Sequence, residues 1–461
     1  RAADLIAAGE EHAAALRPRL AALRVPEADW RALRRQQARP EDPPAPIASV
    51  RFDGQDITQP QQLAGRLAVQ PGQPFDIERA ERDSRALAAT GDYLHVDYRV
   101  EDLPAGTGLV FRVEEKPWGP HYFRLGLDMQ SDFAGRGEFN IKLSHNRHWL
   151  DDHGSEWRNR LQIGSVPRWH SELYVPLGAG IGPSADGFLA VSGEVERRRM
   201  TVYRTLAPGE NARDPEVTGR QVRGLARLGL DVGQPWGTGG EIGEWRLGLQ
   251  HESLTLQPEA QAGAGSALAA QRAREWALRA GFVIDQLDHV SFPRAGWRVR
   301  LGLQSGRRSL DGDGGTRTFH RAELDATQVA SRGRHTVETT LRVREARQQQ
   351  VEGVPGPYTL GGFHHLSGYE ADQLSGHRML LGRWTWTVRL NRQPVLTRGV
   401  FAGLTVEAGN AWVAPRAMRL DDLRLGTSAF LGADTGLGPL YFGLTWAPGR
   451  RAGLSLMLGR P

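Results

Sequence analysis

Cysteine is absent from the 461 residues. That excludes disulfide staples, thiolate metal sites and a cysteine nucleophile, and it fits a compartment in which stray thiols would be oxidised. Long apolar runs are absent too. No stretch approaches 18 apolar residues and mean hydropathy is −0.46, so helical membrane spans are excluded. Lysine is scarce, nearly all the basic residues being arginine. The net charge is +5, with acidic residues interleaved throughout and no nucleic-acid motif, so a solvated surface of mixed sign is expected rather than a nucleic-acid partner. An initiator methionine and a charged-then-apolar leader are also missing, and a mature or shortened piece of a longer chain is expected.

What is present is length for two or three domains and an excess of glycine, 56 residues against the usual share of about 7 per cent. Residues 1–38 carry apolar side chains at helical spacing. Pro18 is expected to kink this helix and Pro26 to start a second one through Trp30 and Leu33. Two helices cannot bury a core alone, so they are expected to be the end of an upstream domain. Residues 39–46 form a Pro-rich linker.

Residues 47–118 read as β-α-α-β-β. A strand over 47–52 is followed by a helix capped by Thr58 and running to Val69. A second helix is capped by Asp76 and buries Ile77, Ala80, Ser84, Leu87 and Ala88, with Gly91 after its end. Two alternating strands close the unit. This order, with V-R-F-D-G-Q near the start, A-A-T-G-D-Y-L before the second strand and L-V-F-R-V-E-E-K-P-W-G at the end, resembles a POTRA domain. Domains of that family are periplasmic modules that precede outer-membrane barrels.

From residue 121 to residue 461 the period is two. Phe123, Leu125, Leu127 and Met129 alternate with Arg124, Gly126, Asp128 and Gln130. Trp276, Leu278, Ala280 and Phe282 alternate with Ala277, Arg279, Gly281 and Val283. Sixteen such stretches can be counted, from residues 122–132 to residues 451–459. A soluble sandwich would show the same alternation. Three features favour a transmembrane barrel. The strands are long enough for tilted spans. Aromatic residues sit near strand ends (Tyr122, Trp149, Trp157, Trp245, Trp276, Trp297, Trp412, Trp446). The polar face carries arginine and glutamate in mid-strand, which on a lipid face would cost ~2–4 kcal/mol per arginine. Short turns are expected on one side of the barrel and long connections on the other. The fold class is thus mainly β: a 16-stranded antiparallel transmembrane β-barrel preceded by one βααββ POTRA domain and an N-terminal helical segment.

One connection stands apart. About thirty residues, 348–377, separate two strands and contain T-L-G-G-F-H-H-L-S-G-Y over 359–369. A loop this long and this aromatic is expected to be ordered and packed inside something. One POTRA domain, sixteen strands and this loop resemble the BamA-type outer-membrane assembly-factor (surface antigen) superfamily. The corresponding loop there has a V-R-G-F/Y tip folded into the lumen. The matching positions are Leu366, Ser367, Gly368 and Tyr369, with Phe363 nearby. The resemblance also implies an acidic residue before a glycine on a receiving strand, matched by Glu407 and Gly409. Serine stands at the arginine position, so His364, His365 or Arg383 is expected to supply the cation for Glu407.

The L-G-G-F-x-x-L-S-G-Y form, the single POTRA domain and the preceding helix pair resemble patatin-like phospholipases exported as one chain (type V secretion, autotransporter-like). The resemblance implies an outer-membrane anchor and translocation unit whose lipase passenger lies upstream of residue 1, so the residues present are not expected to be enzymatic. Its implied surroundings are outer-membrane lipid, its own passenger, the barrel-assembly machinery during insertion and, as an open alternative, further copies of itself, with the POTRA domain in the periplasm of a Gram-negative-type bacterium. Two alternatives stay open: an insertase or two-partner transporter acting on a separate protein, and an anion-selective porin. No catalytic residue, cofactor or metal is expected. His145 and His148 lie three apart on one strand, facing opposite ways, and Asp151-Asp152 and residues 311–314 read as solvated turns. Residues 182–187 have the spacing G-x-S-x-x-G, a turn rather than a nucleophile elbow.

Overall fold

The computed structural model describes residues 2–21, 24–37, 45–59, 67–177, 187–204, 216–236, 242–259, 270–312, 315–348, 356–391, 397–413 and 419–459. Most of the linker 39–46, most of the first helix expected over 58–69, and residues 182–186 and 313–314 of the two weighed turns lie outside them. The chain divides into two compact units: residues 1–54 with 67–114, and residues 55–66 with 115–461.

The first unit opens with α1 (Ala2–Ala21), which contains Pro18, and α2 (Glu27–Gln37), which begins just after Pro26. A small three-stranded sheet follows, in the order β1 (Ile47–Asp53), β3 (Gly106–Glu115), β2 (Tyr93–Leu103), with β1 parallel to β3. The central strand buries Leu109, Val110 and Phe111 almost completely, and Phe111 stacks on Phe52 at 5.7 Å. Helix α3 (Ile77–Ala89) packs its Ala80 and Leu87 inward. Asp76 caps it by accepting from the Glu78 and Arg79 N–H groups, and Gly91 takes φ +85° beyond its end. Ile77, expected inside, is 58 % exposed. The inward position is taken instead by Asp83, whose carboxylate accepts from the Ala68 and Val69 N–H groups at 2.8 Å each. A polar residue won that place because the non-helical backbone at 67–70 needs acceptors.

The second unit is a closed antiparallel barrel of sixteen strands, and each of the sixteen expected stretches overlaps one of them. In chain order they are β4 (His121–Ser131), β5 (Gly137–Arg147), β6 (Glu156–Gly164), β7 (Arg168–Pro176), β8 (Phe188–Tyr203), β9 (Val217–Trp236), β10 (Gly243–Pro258), β11 (Gln271–Asp285), β12 (Gly296–Leu310), β13 (Thr316–Arg332), β14 (His335–Arg347), β17 (Arg378–Arg389), β18 (Gly399–Trp412), β19 (Arg424–Thr435), β20 (Gly438–Trp446) and β21 (Gly453–Leu458). Two three-residue strands, β15 (Tyr358–Leu360) and β16 (Leu374–Gly376), pair with each other outside the barrel ladder.

The alternation sorts side chains as the period of two requires. Phe123, Leu125, Leu228, Trp276 and Leu278 point outward and are 62–69 % exposed. The inner face pairs its charges. Arg158 and Arg246 share Glu172, Arg227 meets Glu252, Arg321 meets Glu275, and Arg344 meets Asp325. Trp412, expected at an interface, is instead buried to 4 % exposure.

The wall is uneven. β9 has 20 residues and β13 has 17, while β6, β7 and β20 have 9 and β21 only 6. This corrects the expected division of turns. Because neighbours are antiparallel, the short turns at 132–136 and 447–452 fall at the same end as the long connections 204–216 and 259–270, the end from which the 348–377 segment departs (hereafter the loop end). Turn length varies around the circumference, with strand height, more than between the two ends. Closure is also uneven. β4 and β5 share eleven residue pairs, but β21 and β4 meet through three, Leu456 with Ser131, Met457 with Gln130 and Leu458 with Met129.

Asp83→Ala is expected to leave two buried N–H groups unmatched, at ~1–3 kcal/mol each. Hydrogen exchange at residues 67–70 should accelerate strongly while that of the barrel strands stays unchanged. Unchanged protection at 67–70 would remove the role given to this carboxylate.

Candidate functional site: a fastened lumenal loop

The segment between β14 and β17 turns back on itself. Tyr358, Thr359 and Leu360 pair with Gly376, Ser375 and Leu374, and the thirteen residues of the tip, 361–373, lie between the two short strands. The tip is buried: Leu366 and Ser367 are 0 % exposed, and Phe363, His364 and Tyr369 are 3–5 %. Leu360, Leu366, Tyr369 and Leu374 cluster with Met379 and Leu381 of β17, while Phe363 clusters with Phe430 of β19, Tyr441 of β20 and Met457 of β21. These contacts supply the apolar surroundings that a water-facing lumen otherwise lacks.

The backbone of the tip is held in unusual conformations. His364, Leu366 and Asp372 have φ of +59°, +88° and +58°, three of the five non-glycine residues with positive φ among the described residues. Each costs ~1–3 kcal/mol and persists only where the surroundings over-determine it. Gly368 also has positive φ, and a Cβ there would stand 2.6 Å from the Ala447 nitrogen.

Glu407 of β18 is fully buried and accepts from the Ser367 N–H at 2.5 Å. Beside it in the β17–β18 register stands Arg383, which donates to the His364 carbonyl at 3.1 Å and to Glu338 at 2.7 Å. Arg450, in the β20–β21 turn, donates to the Gly368 carbonyl at 2.6 Å and lies 4.6 Å over the Tyr369 ring. His364 Nε2 faces the Thr405 hydroxyl at 3.3 Å, and both His365 ring nitrogens lie near an Arg342 amine, at 2.9 and 3.2 Å. The expectation that His364, His365 or Arg383 forms an ion pair with Glu407 is therefore corrected. None of them is within ion-pair distance of it among the described residues, and its partner is a main-chain N–H. Since all three anchors (Glu407, Arg383, Arg450) grip the backbone, the side chain at 367 is free to be serine. Its hydroxyl accepts from the His364 N–H at 3.2 Å.

The neighbouring strand matters as well. Gly426, across from Glu407 on β19, lies under the tip, and a Cβ there would be 2.5 Å from the Ser367 carbonyl oxygen. Gly409 backs the same strand pair, where a Cβ would be 2.7 Å from the Leu380 carbonyl oxygen. Past the tip, Arg136 in the β4–β5 turn reaches the Ala371 carbonyl and Glu370, and Arg198 of β8 pairs with Asp372 at 2.8 Å. The loop thus touches both sides of the three-pair seam. Sequence reasoning missed Arg136, Arg198, Arg342, Gly426 and Arg450. They come from five separate elements, and nothing in their spacing marks them.

The other candidates stay separate. Among the described residues no group of three or more potential ligands assembles. His145 does meet a partner, His121 on the neighbouring strand, at 3.0 Å, while His148 lies 3.9 Å from Glu156. Asp151 closes a turn. Burial alone would raise its pKa, but hydrogen bonds from the Ser155 hydroxyl, the Ser155 N–H and the His153 N–H hold it below the ordinary carboxylate range.

A three-stranded α+β domain followed by a sixteen-stranded barrel with a loop folded into its lumen defines a class. Residues 45–116 match the POTRA family model, described as surface antigen variable number repeat. The chain is similar in structure to BamA from Haemophilus ducreyi lacking POTRA domains 1–3, with TM-score 0.64 and 13 % identity over 89 % of this chain and 84 % of that one. It is also similar to CdiB from Acinetobacter baumannii (TM-score 0.53, 13 % identity, 90 % and 74 % covered) and CdiB from Escherichia coli (TM-score 0.55, 14 % identity, 90 % and 76 % covered). At these identities the likeness is one of fold. Comparison with curated protein sequences finds no match.

Glu407→Ala is expected to leave the buried Ser367 N–H unmatched at ~1–3 kcal/mol. Ser367→Ala, which removes one hydroxyl contact, should cost less, about 1 kcal/mol. Limited proteolysis within residues 361–373 and the midpoint of thermal unfolding in detergent should both rank Glu407→Ala as the more disruptive. Equal behaviour of the two variants would refute the backbone-anchored tip. Gly426→Val, which drives side-chain atoms into Ser367, should expose the same segment to protease.

Proposed function

We propose that this chain is an outer-membrane translocation unit, its barrel set in the outer membrane and its POTRA domain in the periplasm, carrying or displaying a passenger domain that lies upstream. The observation that carries this reading is the lumenal loop. A barrel whose interior holds a strained, multiply anchored segment of its own chain is poorly suited to be a resting pore but suits a device that opens for a large substrate. The outer apolar face, interrupted by exposed tryptophans, matches a lipid surface, and every barrel strand except β21 has the 9 or more residues that suffice for a tilted span.

Two routes for a passenger follow from the geometry. Passage through the lumen requires the tip to leave Glu407. Passage or entry at the wall requires parting of the β21–β4 seam, the shortest ladder among the described residues. The patatin-type passenger rests on the sequence resemblance and on α1 and α2. In α2, Trp30 and Leu33 are 47 % and 43 % exposed, as side chains would be that normally pack against a neighbouring domain. A second reading, a transporter or insertase for a separate protein, is favoured by the likeness to CdiB and BamA. An anion-selective porin fits less well, because lumenal arginines are matched by acids on the same wall.

In planar bilayers the intact chain is expected to conduct little, and deletion of residues 361–373 should raise conductance several-fold. Steady, anion-preferring conductance from the intact chain would favour the porin. On a detergent gel the folded barrel should migrate differently before and after boiling. A chain that stays soluble without detergent and shows no such shift would overturn the membrane assignment. Upstream coding sequence should contain a G-x-S-x-G elbow and a catalytic Asp-Gly pair, whereas additional POTRA repeats there would select the second reading.

A further inference from the structure

The tall side of the barrel extends past its apolar belt, and the change of chemistry along the outer face is ordered. On β11 the outward residues run, from the loop end, Arg272, Arg274, Trp276, Leu278 and Ala280. On β12 they run Arg307, Ser305, Leu303, and on β14 Arg347 stands at the same end. The register joins these columns: Trp276 pairs with Arg307 and Arg274 with Ser309, so the guanidinium groups of the two strands are diagonal neighbours. Arg347 has a partner in Glu345. Arg272, Arg274 and Arg307 have no acidic side chain within ion-pair distance among the described residues, although every arginine named on the inner wall above is paired. An outward-facing, unmatched cationic row above an exposed tryptophan is the order of chemistry found at a lipid–water boundary.

Directly below it lies a trough of about 510 Å³ on the outer face. Leu247, Leu278 and Leu303 form its ridges with Ala280 and Ala322 between them, His320 and Arg347 border it toward the arginine row, and Glu345, paired with Arg347 and Arg378, stands beside Ala322 at its edge. Ala280 and Ala322 lie on either side of Leu303 in the register, so a small side chain stands on each flank of that ridge.

We propose that this surface is a specific site for a phosphate-bearing lipid of the surrounding bilayer, with an acyl chain in the trough and its phosphate on Arg272, Arg274 and Arg307. Guanidinium groups suit phosphate because their donors form a planar fork matching its oxygens. The trough accounts for the small residues, and the arginine row supplies charge that no acidic side chain among the described residues pairs with. The inference rests on the reading of the barrel as membrane-spanning.

The test uses the full chain in detergent and two lipids that share their tails, dioleoyl phosphatidic acid and dioleoylglycerol, with bound lipid counted by native mass spectrometry. The wild type is expected to retain phosphatidic acid at least tenfold better. The triple variant Arg272→Gln, Arg274→Gln, Arg307→Gln should lose most of that preference, and the corresponding triple lysine variant should keep part of it. Ala280→Trp, which fills the trough, should reduce retention of both lipids. Equal retention of the two lipids by the wild type overturns the proposal whatever the variants do, as does an unchanged preference in the folded glutamine variant. Folding is checked by the boiling-dependent gel shift. A chain that folds in neutral lipid but shows no phosphate preference refutes this site alone, whereas a chain soluble without detergent removes the membrane reading and the site together.

Discussion

Every strand of a sheet placed where water is scarce must give its N–H and C=O groups to a neighbour, and the first and last strands satisfy that demand only by meeting each other. Among the described residues that meeting is three residue pairs long, against eleven for the adjoining hairpin. The rest of the barrel unit can be understood around this economy. Short strands flank the seam, tall ones stand on the other side, and the lumenal loop reaches residues on both sides of the closure through Arg450 and Phe363 in one direction and Arg136 in the other. A sheet closed so briefly is held by what lies inside it as well as by its ladder.

The loop is the second consequence. It brings apolar surface into a polar lumen, and so it must make its own dry core against β17, β19, β20 and β21. Its tip turns through left-handed conformations at His364 and Leu366, which exposes main-chain groups that need partners. Glu407, Arg383 and Arg450 provide them. Glu407 binds a neutral N–H rather than a cation, which places the charge-assisted bond on the backbone at position 367, while its other carboxylate oxygen stays buried without a hydrogen-bond partner among the described residues. The outer surface follows a separate logic, in which apolar belt, tryptophan and arginine without an ion-pair partner among the described residues succeed one another along β11.

Much of this was legible in the chain. Period-two alternation located all sixteen strands and their apolar faces, and the length and aromatic content of residues 348–377 pointed to a packed insertion, which the described residues 356–377 form. Asp76 and Gly91 announced the ends of a helix because capping is local chemistry. What was misread depended on neighbours far away in sequence. Ile77 lies on the right helix but yields its inward place to Asp83, which answers backbone groups at 68 and 69. Trp412 looked interfacial by position yet is buried. The partner of Glu407 could not be found by searching for a cation, because the donor is a main-chain group present at every non-proline residue.

By itself the sequence determined the class of fold, the alternation of faces and the absence of thiol chemistry, since these depend on residue type and periods of two or a few residues. Tertiary structure alone decided which strands are tall, how briefly the barrel closes, what anchors Ser367, and that Arg274 and Arg307 stand beside one another above a trough lined by Ala280 and Ala322. The physical reason is register. A strand's pattern states which side chains share a face, but a shift of two residues against a neighbour preserves that pattern while changing every cross-strand partner.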